Sequence, residues 1–445
     1  MFRILKNLFG GGSTQPTGSP SELPEAATPS SQVISKVSPF LRREPVFDRS
    51  NRLSGHLFYL QESTALANAE GARQRDFDKT LLDTLNASPE AWNTNLAFIP
   101  LSSSSLDLDA IERLKTTNVV LLIQLAEDAE AEIIGDTIAQ IHERGIQVGI
   151  FRQPKNPAFA KLITLADHAA IDVSGSDANA PRDFSAAVRA VEKSQQLRLI
   201  ACNIDTQDDF RCCRQWYYEY FHGKFASAPP ENKPDPAADP HRAQLVNLLR
   251  LVQSDAETAE LAAAMKQDPL LSFRILRYLN SPALGLSHRI DSLEQALIIL
   301  GRQRLTRWLA VLLFSVRDPH VDDWLMVENA LTRGRLMEVL GEVSMPGQSH
   351  DPLFLTGIFS CLGALLHRPM AEILDDMLLA DDIRRALLEH RGPYAPLLAV
   401  AEASENFDLP RMEIAGIAAG IDPDSLNCAL LAATAWASEV TEYWE

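Results

Sequence analysis

Residues 119–151 read VVLLIQLAEDAEAEIIGDTIAQIHERGIQVGIF, and the fold follows from how that stretch divides. Val119–Leu125 and Ile146–Phe151 are short apolar runs with much β-branched content, which favours strands. Between them, Asp128–Arg144 has helical spacing, with Ile133, Ile134, Ile138 and Ile141 on one face. A strand, a helix and another strand in that order indicate two strands lying parallel.

The alternation extends in both directions. Leu96–Pro100 (LAFIP), Ala169–Val173 and Leu197–Ala201 are further short apolar runs, so a parallel sheet or barrel is expected over residues 39–228. Residues 229–240, PPENKPDPAADP, carry five prolines in twelve positions and can sustain neither a helix nor a central strand. Residues 229–241 are therefore read as a linker between domains. Beyond them the pattern is helical. Leu245, Leu248, Leu249 and Val252 share a face, Asp268 precedes a proline suited to the first helical position, and Ser292 with Gln295 forms a capping box. Breaks are expected at Pro282, Gly301, Pro319, Pro346, Pro369, Pro393 and Pro423, and residues 242–445 read as all-α. Residues 10–38 are rich in Gly, Ser, Thr and Pro and read as a flexible tether, so residues 1–38 form an N-terminal tail. Within it, residues 1–9 (MFRILKNLF) place Phe2, Leu5 and Phe9 near one face, the pattern of a weak membrane-surface contact. Nine residues are marginal as a free helix, so a frayed start is expected instead.

Composition narrows the function. The 445 residues are 46% hydrophobic and 22% charged, as globular domains are, and the length suits two cores. Lysine and arginine total 41 against 59 acids, a formal charge of −18, which argues against nucleic acid as a general partner. Cys202, Cys212, Cys213, Cys361 and Cys428 form no CxxC pair and no zinc spacing, and read as free thiols of a reducing cytoplasm. No run reaches membrane-span length, and the first ten residues lack the form of a signal peptide.

Three segments of the first half resemble one family. REPVFD (43–48) with GHLF (55–58) is similar to the opening hairpin of EAL domains, the cyclic di-GMP phosphodiesterases. LIACNIDT (199–206) sits where that family has "AEGVET", and YFHGKFASAP (220–229) resembles its closing "QGYFFSKP". The resemblance spans roughly 190 residues and implies a (β/α)8-like barrel with its chemistry at the C-terminal strand ends. It also implies a divalent-cation site built from several carboxylates, since the cation must activate water and stabilise phosphate oxygens. This chain departs from the pattern. Leu57 stands where the signature Glu belongs, Gln124 where the next strand has Glu, Phe151-Arg152 where the paired Asp residues stand, and Cys202 at the Glu of "AEG". Ala170 precedes Ile171 and Asp172 where the family has "KID", leaving Asp172 and Asp205 as the surviving acids. The barrel is expected to be degenerate, with neither metal nor other cofactor.

The second half resembles the HDOD family. DPLLSFRILRYLNSP (268–282) and IDSLEQALIILG (290–301) match its most recognisable segments in order and spacing. HDOD domains are related to HD phosphohydrolases, and FLTGIFSCLG (354–363) is similar to the segment carrying their His-Asp pair; here those positions are Ser360 and Cys361. A hydroxyl and a thiol do not replace imidazole and carboxylate at a hard divalent site. His367, His390, Asp375, Asp376, Asp381 and Asp382 have no fixed ligand spacing and read as solvated helix faces. Arg302, Arg304 and Arg307 read as surface charge whose stems cover the core, and Asn280-Ser281-Pro282 as a structural turn.

The resemblances together imply a degenerate EAL barrel followed by an all-helical HDOD domain. The expected function is a non-catalytic cytoplasmic adaptor in cyclic di-GMP-related, motility or stress signalling. Its expected partners are a kinase, a response regulator or another cyclic di-GMP enzyme. The alternatives are a weak cyclic di-GMP phosphodiesterase or receptor using Asp172 and Asp205, and, behind it, an HD-type phosphohydrolase.

Overall fold

The computed structural model describes residues 40–61, 74–87, 95–114, 118–174, 176–177, 179–190, 197–227, 240–268, 271–272, 275–276, 290, 292–314, 321–375, 377, 379–406 and 408–442. The tail (1–38), most of the proline-rich linker, the Asn280–Pro282 turn, the Pro319 break and Asp376 lie outside them. Strands β1 (Phe40–Asp48), β2 (Leu53–Gln61), β3 (Leu96–Ser102), β4 (Val119–Gln124), β5 (Gln147–Phe151), β6 (His168–Asp172), β7 (Arg198–Cys202) and β8 (Tyr220–His222) close a barrel in chain order. β1 is antiparallel to both β2 and β8, whereas β2 to β8 run parallel. Outside it lie α1 (Gln74–Ala87), α2 (Asp109–Glu112), α3 (Ala131–Glu143), α4 (Phe159–Leu162), α5 (Ala180–Arg189) and α6 (Gln207–Gln215).

Side chains alternate across a strand, so each strand feeds two cores. Val119, Leu121 and Ile123 join the large cluster beneath the outer helices, with Ala97, Ile99, Ala169, Ile171, Leu199 and Ala201. Val120 and Leu122 instead join Val46, Leu57, Phe98, Ala170, Ile200 and Cys202 in a small cluster that fills the barrel. Burial on both faces explains why the parallel strands read as continuous apolar runs. The five apolar runs named from the sequence are β3 to β7, shifted by at most two residues at an end. One detail needs correction. Ile134, Ile138 and Ile141 are buried, but Ile133 is 61% exposed, because it lies about 100° around α3 from Ile134 and outside its stripe.

From Pro240 onward the described residues are helical: α7 (Pro240–Gln253), α8 (Thr258–Met265), α9 (Leu293–Leu300), α10 (Arg302–Leu313), α11 (Val321–Ser344), α12 (Asp351–Phe359), α13 (Leu362–Leu366), α14 (Met370–Asp375), α15 (Asp381–Glu389), α16 (Ala395–Asn406), α17 (Leu409–Ala419) and α18 (Pro423–Glu442). The expected caps are present, with Asp268 Oδ1 accepting from Leu271 N–H and Ser292 Oγ from Gln295 N–H. α11 and α12 approach closely enough for backbones to touch. A Cβ on Gly357 would lie 2.6 Å from Gly334 Cα, so both positions require glycine. Among the described residues no helix is long and apolar enough to cross a membrane.

The two halves share a seam along β1. Phe40 packs into the helical core, and Leu431 of α18 packs into the barrel's outer core. Leu41 N–H donates to Asn427 Oδ1 at 2.8 Å. Arg43 and His56, on the outward face of the hairpin, both reach Glu328 of α11, at 2.6 and 2.5 Å. Glu328 is buried. Burial opposes its charge, but His56 and Arg43 outweigh that and hold its carboxyl down to about 2.

Candidate functional site

The C-terminal ends of β2 to β7 open at one mouth, where a barrel of this kind carries its chemistry. Leu57 points into the barrel and is buried in the small apolar cluster, with Tyr59 and Phe151 packed against it. Burying a leucine contributes about 1.5–3 kcal/mol. It offers no lone pair to a cation. Gln124 is exposed at the end of β4 and lines a hollow of about 440 Å³ with Ser102, Glu127 and Gln153. Gln153 clasps the loop after β4, its amide accepting from Leu125 N–H and donating to Leu125 O.

Asp172 is exposed at the end of β6, with both carboxylate oxygens engaged. Oδ1 accepts from the backbone and hydroxyl of Ser174, and Oδ2 from Asn203 Nδ2 at 2.8 Å. Asn203 holds a left-handed backbone, φ 56°, that turns its amide toward this acid. Asp205 is exposed immediately before Thr206, which caps α6. Cys202 stands opposite Asp172 on β7, and burial, then the charges of Asp172 and Glu44, push its thiol far above the ordinary range.

Sequence reasoning passed over the strongest electrostatic feature of the mouth. Glu44 Oε2 accepts from Tyr59 OH at 2.8 Å and meets His222 Nε2 at 2.5 Å, and its other oxygen is bonded by Arg42. Burial works against the charged form; the His222 hydrogen bond and charge, Tyr59 and Arg42 outweigh it and hold the carboxyl down to about 2. Tyr59 is pushed above its ordinary range by burial and by Glu44. The charge of Glu44 is thus balanced by its own neighbours.

Ser360 and Cys361 lie between α12 and α13. Ser360 Oγ donates to Gly357 O and accepts from Arg333 Nη1 at 2.6 Å. Arg333 is paired through Nε and Nη2 with Glu405, and this fork raises its pKa despite burial. Burial, only partly offset by Arg333, pushes the Cys361 thiol up to about 11. A guanidinium against these two positions repels a divalent ion, so the residues present do not fit a metal. His367 and His390 end α13 and α15 in left-handed conformations, and Asp375 pairs with Arg384. Among the described residues no three His, Cys, Asp or Glu side chains gather as a metal cluster. The three arginines of α10 differ from one another. Arg304 is exposed and Arg302 caps the backbone of Val252 and Ala256. Arg307 is buried, not a surface charge as expected, because Glu338 and Asp351 meet it.

The fold thus defines a two-part protein, a closed barrel with an antiparallel first strand joined to an all-helical domain. The HDOD domain family matches residues 240–380, behind the closed barrel. It is 23% identical over 410 residues to the cyclic di-GMP phosphodiesterase CdgJ of Vibrio cholerae, covering 90% of this chain and 93% of that protein. The uncharacterized protein YuxH of Bacillus subtilis is 27% identical over 212 residues, covering 47% of this chain and 52% of YuxH. Among solved structures, the Bacillus subtilis YkuI protein, an EAL-domain protein in complex with substrate c-di-GMP and calcium, aligns with a TM-score of 0.34 and 14% identity. That alignment covers 58% of this chain and 71% of YkuI.

Proposed function

We propose that the chain is a non-catalytic adaptor in cyclic di-GMP-related signalling, acting through protein–protein contacts with a signalling partner such as a kinase, a response regulator or a cyclic di-GMP enzyme. The signalling context rests on the likeness to CdgJ along nearly the whole chain. The observation that carries the absence of catalysis is the state of the mouth's acids: Leu57 fills the signature position, Glu44 is taken by His222, Tyr59 and Arg42, and Asp172 is taken by Ser174 and Asn203. Phosphodiester hydrolysis needs a cation held by several carboxylates, and among the described residues no three His, Cys, Asp or Glu side chains gather in that way. A second reading, weak phosphodiesterase activity, is favoured by the name that CdgJ carries and by the surviving Asp172 and Asp205. Incubation of the full chain with cyclic di-GMP and Mg²⁺ or Mn²⁺ separates the two. The adaptor reading expects no linear product; turnover lost in Asp172→Ala overturns it. Binding of the nucleotide without turnover would assign a receptor.

A further inference from the structure

At the N-terminal ends of the parallel strands, opposite the mouth, the β1–β2 turn, the end of α5 and the loop between α6 and β8 meet around Tyr217. Tyr217 holds a left-handed backbone, φ 65°, and is 58% exposed. Its neighbour Tyr218 is buried, with its hydroxyl donating to Pro181 O at 2.9 Å. A bulky residue in the left-handed region is strained, and such strain persists only where the surroundings enforce it. Two arginines share the exposed ring. The Arg189 guanidinium lies 4.7 Å from its centre and that of Arg49 5.5 Å, both within cation–π range.

The two arginines are held differently. Arg49 donates through Nη1 to Tyr218 O and through Nη2 to Arg214 O, each at 3.2 Å, and so ties the β1–β2 turn to the loop. Arg189 donates through Nε to Ser185 Oγ at 3.4 Å, and the same hydroxyl donates to Trp216 O at 2.7 Å. The two terminal nitrogens of Arg189 have no hydrogen-bond partner among the described residues, and the residue is exposed. A guanidinium fixed through Nε and through a ring presents an open planar fork, which suits a carboxylate in two parallel hydrogen bonds. Arg214 is exposed close by, and Arg198, exposed at the start of β7, bonds Tyr220 OH at 3.4 Å. None of these four arginines forms an ion pair with a described residue. The neighbouring acids are turned to the backbone. Asp48 accepts from the N–H groups of Ser50 and Arg52, and Glu219 from that of Leu199. Burial raises the pKa of Glu219 although the Leu199 N–H, Arg189 and Arg49 oppose the rise. A basic, aromatic pole therefore stands on a chain whose formal charge is −18.

We propose that this pole docks an acidic segment of a partner protein, with a carboxylate of the partner in the Arg189 fork and the Tyr217 ring covered by the adjoining chain. Tyrosine and arginine are enriched among the residues that dominate protein–protein binding. An anionic membrane fits less well. Charges act over about 8 Å at physiological ionic strength, so a narrow segment meets the arginines alone. A flat anionic surface also meets the acidic remainder of the chain. The proposal rests on the adaptor reading for the existence of a protein partner, and the two fail separately. Turnover of cyclic di-GMP overturns that reading, and absence of peptide binding overturns this one.

Fluorescence-anisotropy titration of the full chain with a dye-labelled hexaglutamate peptide tests this. Saturable binding is expected, weakening as salt is raised. Arg189→Gln should weaken it about tenfold, the loss of one charge-assisted pair. Arg304→Gln, which removes the same charge from the helical half, should bind as the parent does. Tyr217→Gly should weaken binding several-fold while the melting midpoint stays near that of the parent, because glycine relieves the left-handed strain that offsets the lost ring contacts. A tyrosine with a merely structural role would leave binding unchanged. The proposal is overturned if hexaglutamate shows no saturable binding, or if Arg189→Gln and Tyr217→Gly both bind it as the parent does. It is equally overturned if the chain sediments with vesicles of phosphatidylcholine and phosphatidylglycerol while leaving hexaglutamate free.

Discussion

The barrel mouth and the seam between the two halves are built from the same parts, a glutamate, a histidine and an arginine, and use them differently. At the seam, Glu328 is fully enclosed between Arg43 and His56 and ties α11 to the β1–β2 hairpin. At the mouth, Glu44 keeps 19% of its side chain exposed while His222 and Arg42 hold it. The two networks hang from adjacent residues of one strand, Arg43 facing out and Glu44 facing in, as the period of two requires. Two carboxylates at the mouth, Glu44 and Asp172, are therefore engaged by neighbouring side chains.

The largest effect that would sharpen this contrast is Glu328→Ala. It leaves Arg43 and His56 buried without their partner and should cost about 3–5 kcal/mol, read as a lower urea midpoint. Replacing Arg43, His56 and Glu328 together by Met, Leu and Leu should recover most of that loss, since the buried charges themselves add little over apolar packing. A triple variant as unstable as Glu328→Ala would break the account of the seam.

Acid comes next. Glu44 and Glu328 are held down to about 2 from an ordinary 4.5, so each contributes stability that is fully present above pH 4.5 and is lost as pH falls through about 2. Thermal melts between pH 5 and 2.5 should show a loss of a few kcal/mol, and Glu44→Gln should flatten that slope. An unchanged slope would mean that the mouth network carries no charge-dependent stability. His222→Ala, at the more open network, should cost about 1–2 kcal/mol by chemical denaturation. Smallest is Asp172→Ala, whose exposed side chain bonds only local neighbours; it should stay within about 0.5 kcal/mol of the parent.

Much of the fold was legible in the sequence because strands covered on both faces are written as uninterrupted apolar runs, and β3 to β7 fell within two residues of the runs that announce them. The caps at Asp268 and Ser292 were equally local. Leu57, read from the sequence as standing at the signature position, lies inside the barrel. What sequence reasoning missed depends on closure. Glu44 and His222 are 178 residues apart and meet only because β1 pairs with β8, and Arg43 meets Glu328 across 285 residues. No periodicity carries such information, although the inward parity of Glu44 with Val46 could have flagged it. Arg307 was misjudged for a related reason: helical spacing cannot tell a solvated arginine from one met by acids on α11 and α12.

Titration of the full chain with Mn²⁺, followed by the loss of its free paramagnetic signal, tests the central claim most directly, because it asks about the cation before any chemistry. The account predicts no saturable uptake up to millimolar metal, in the parent and in Asp172→Ala alike. Saturable, stoichiometric binding that disappears in Asp172→Ala would contradict it.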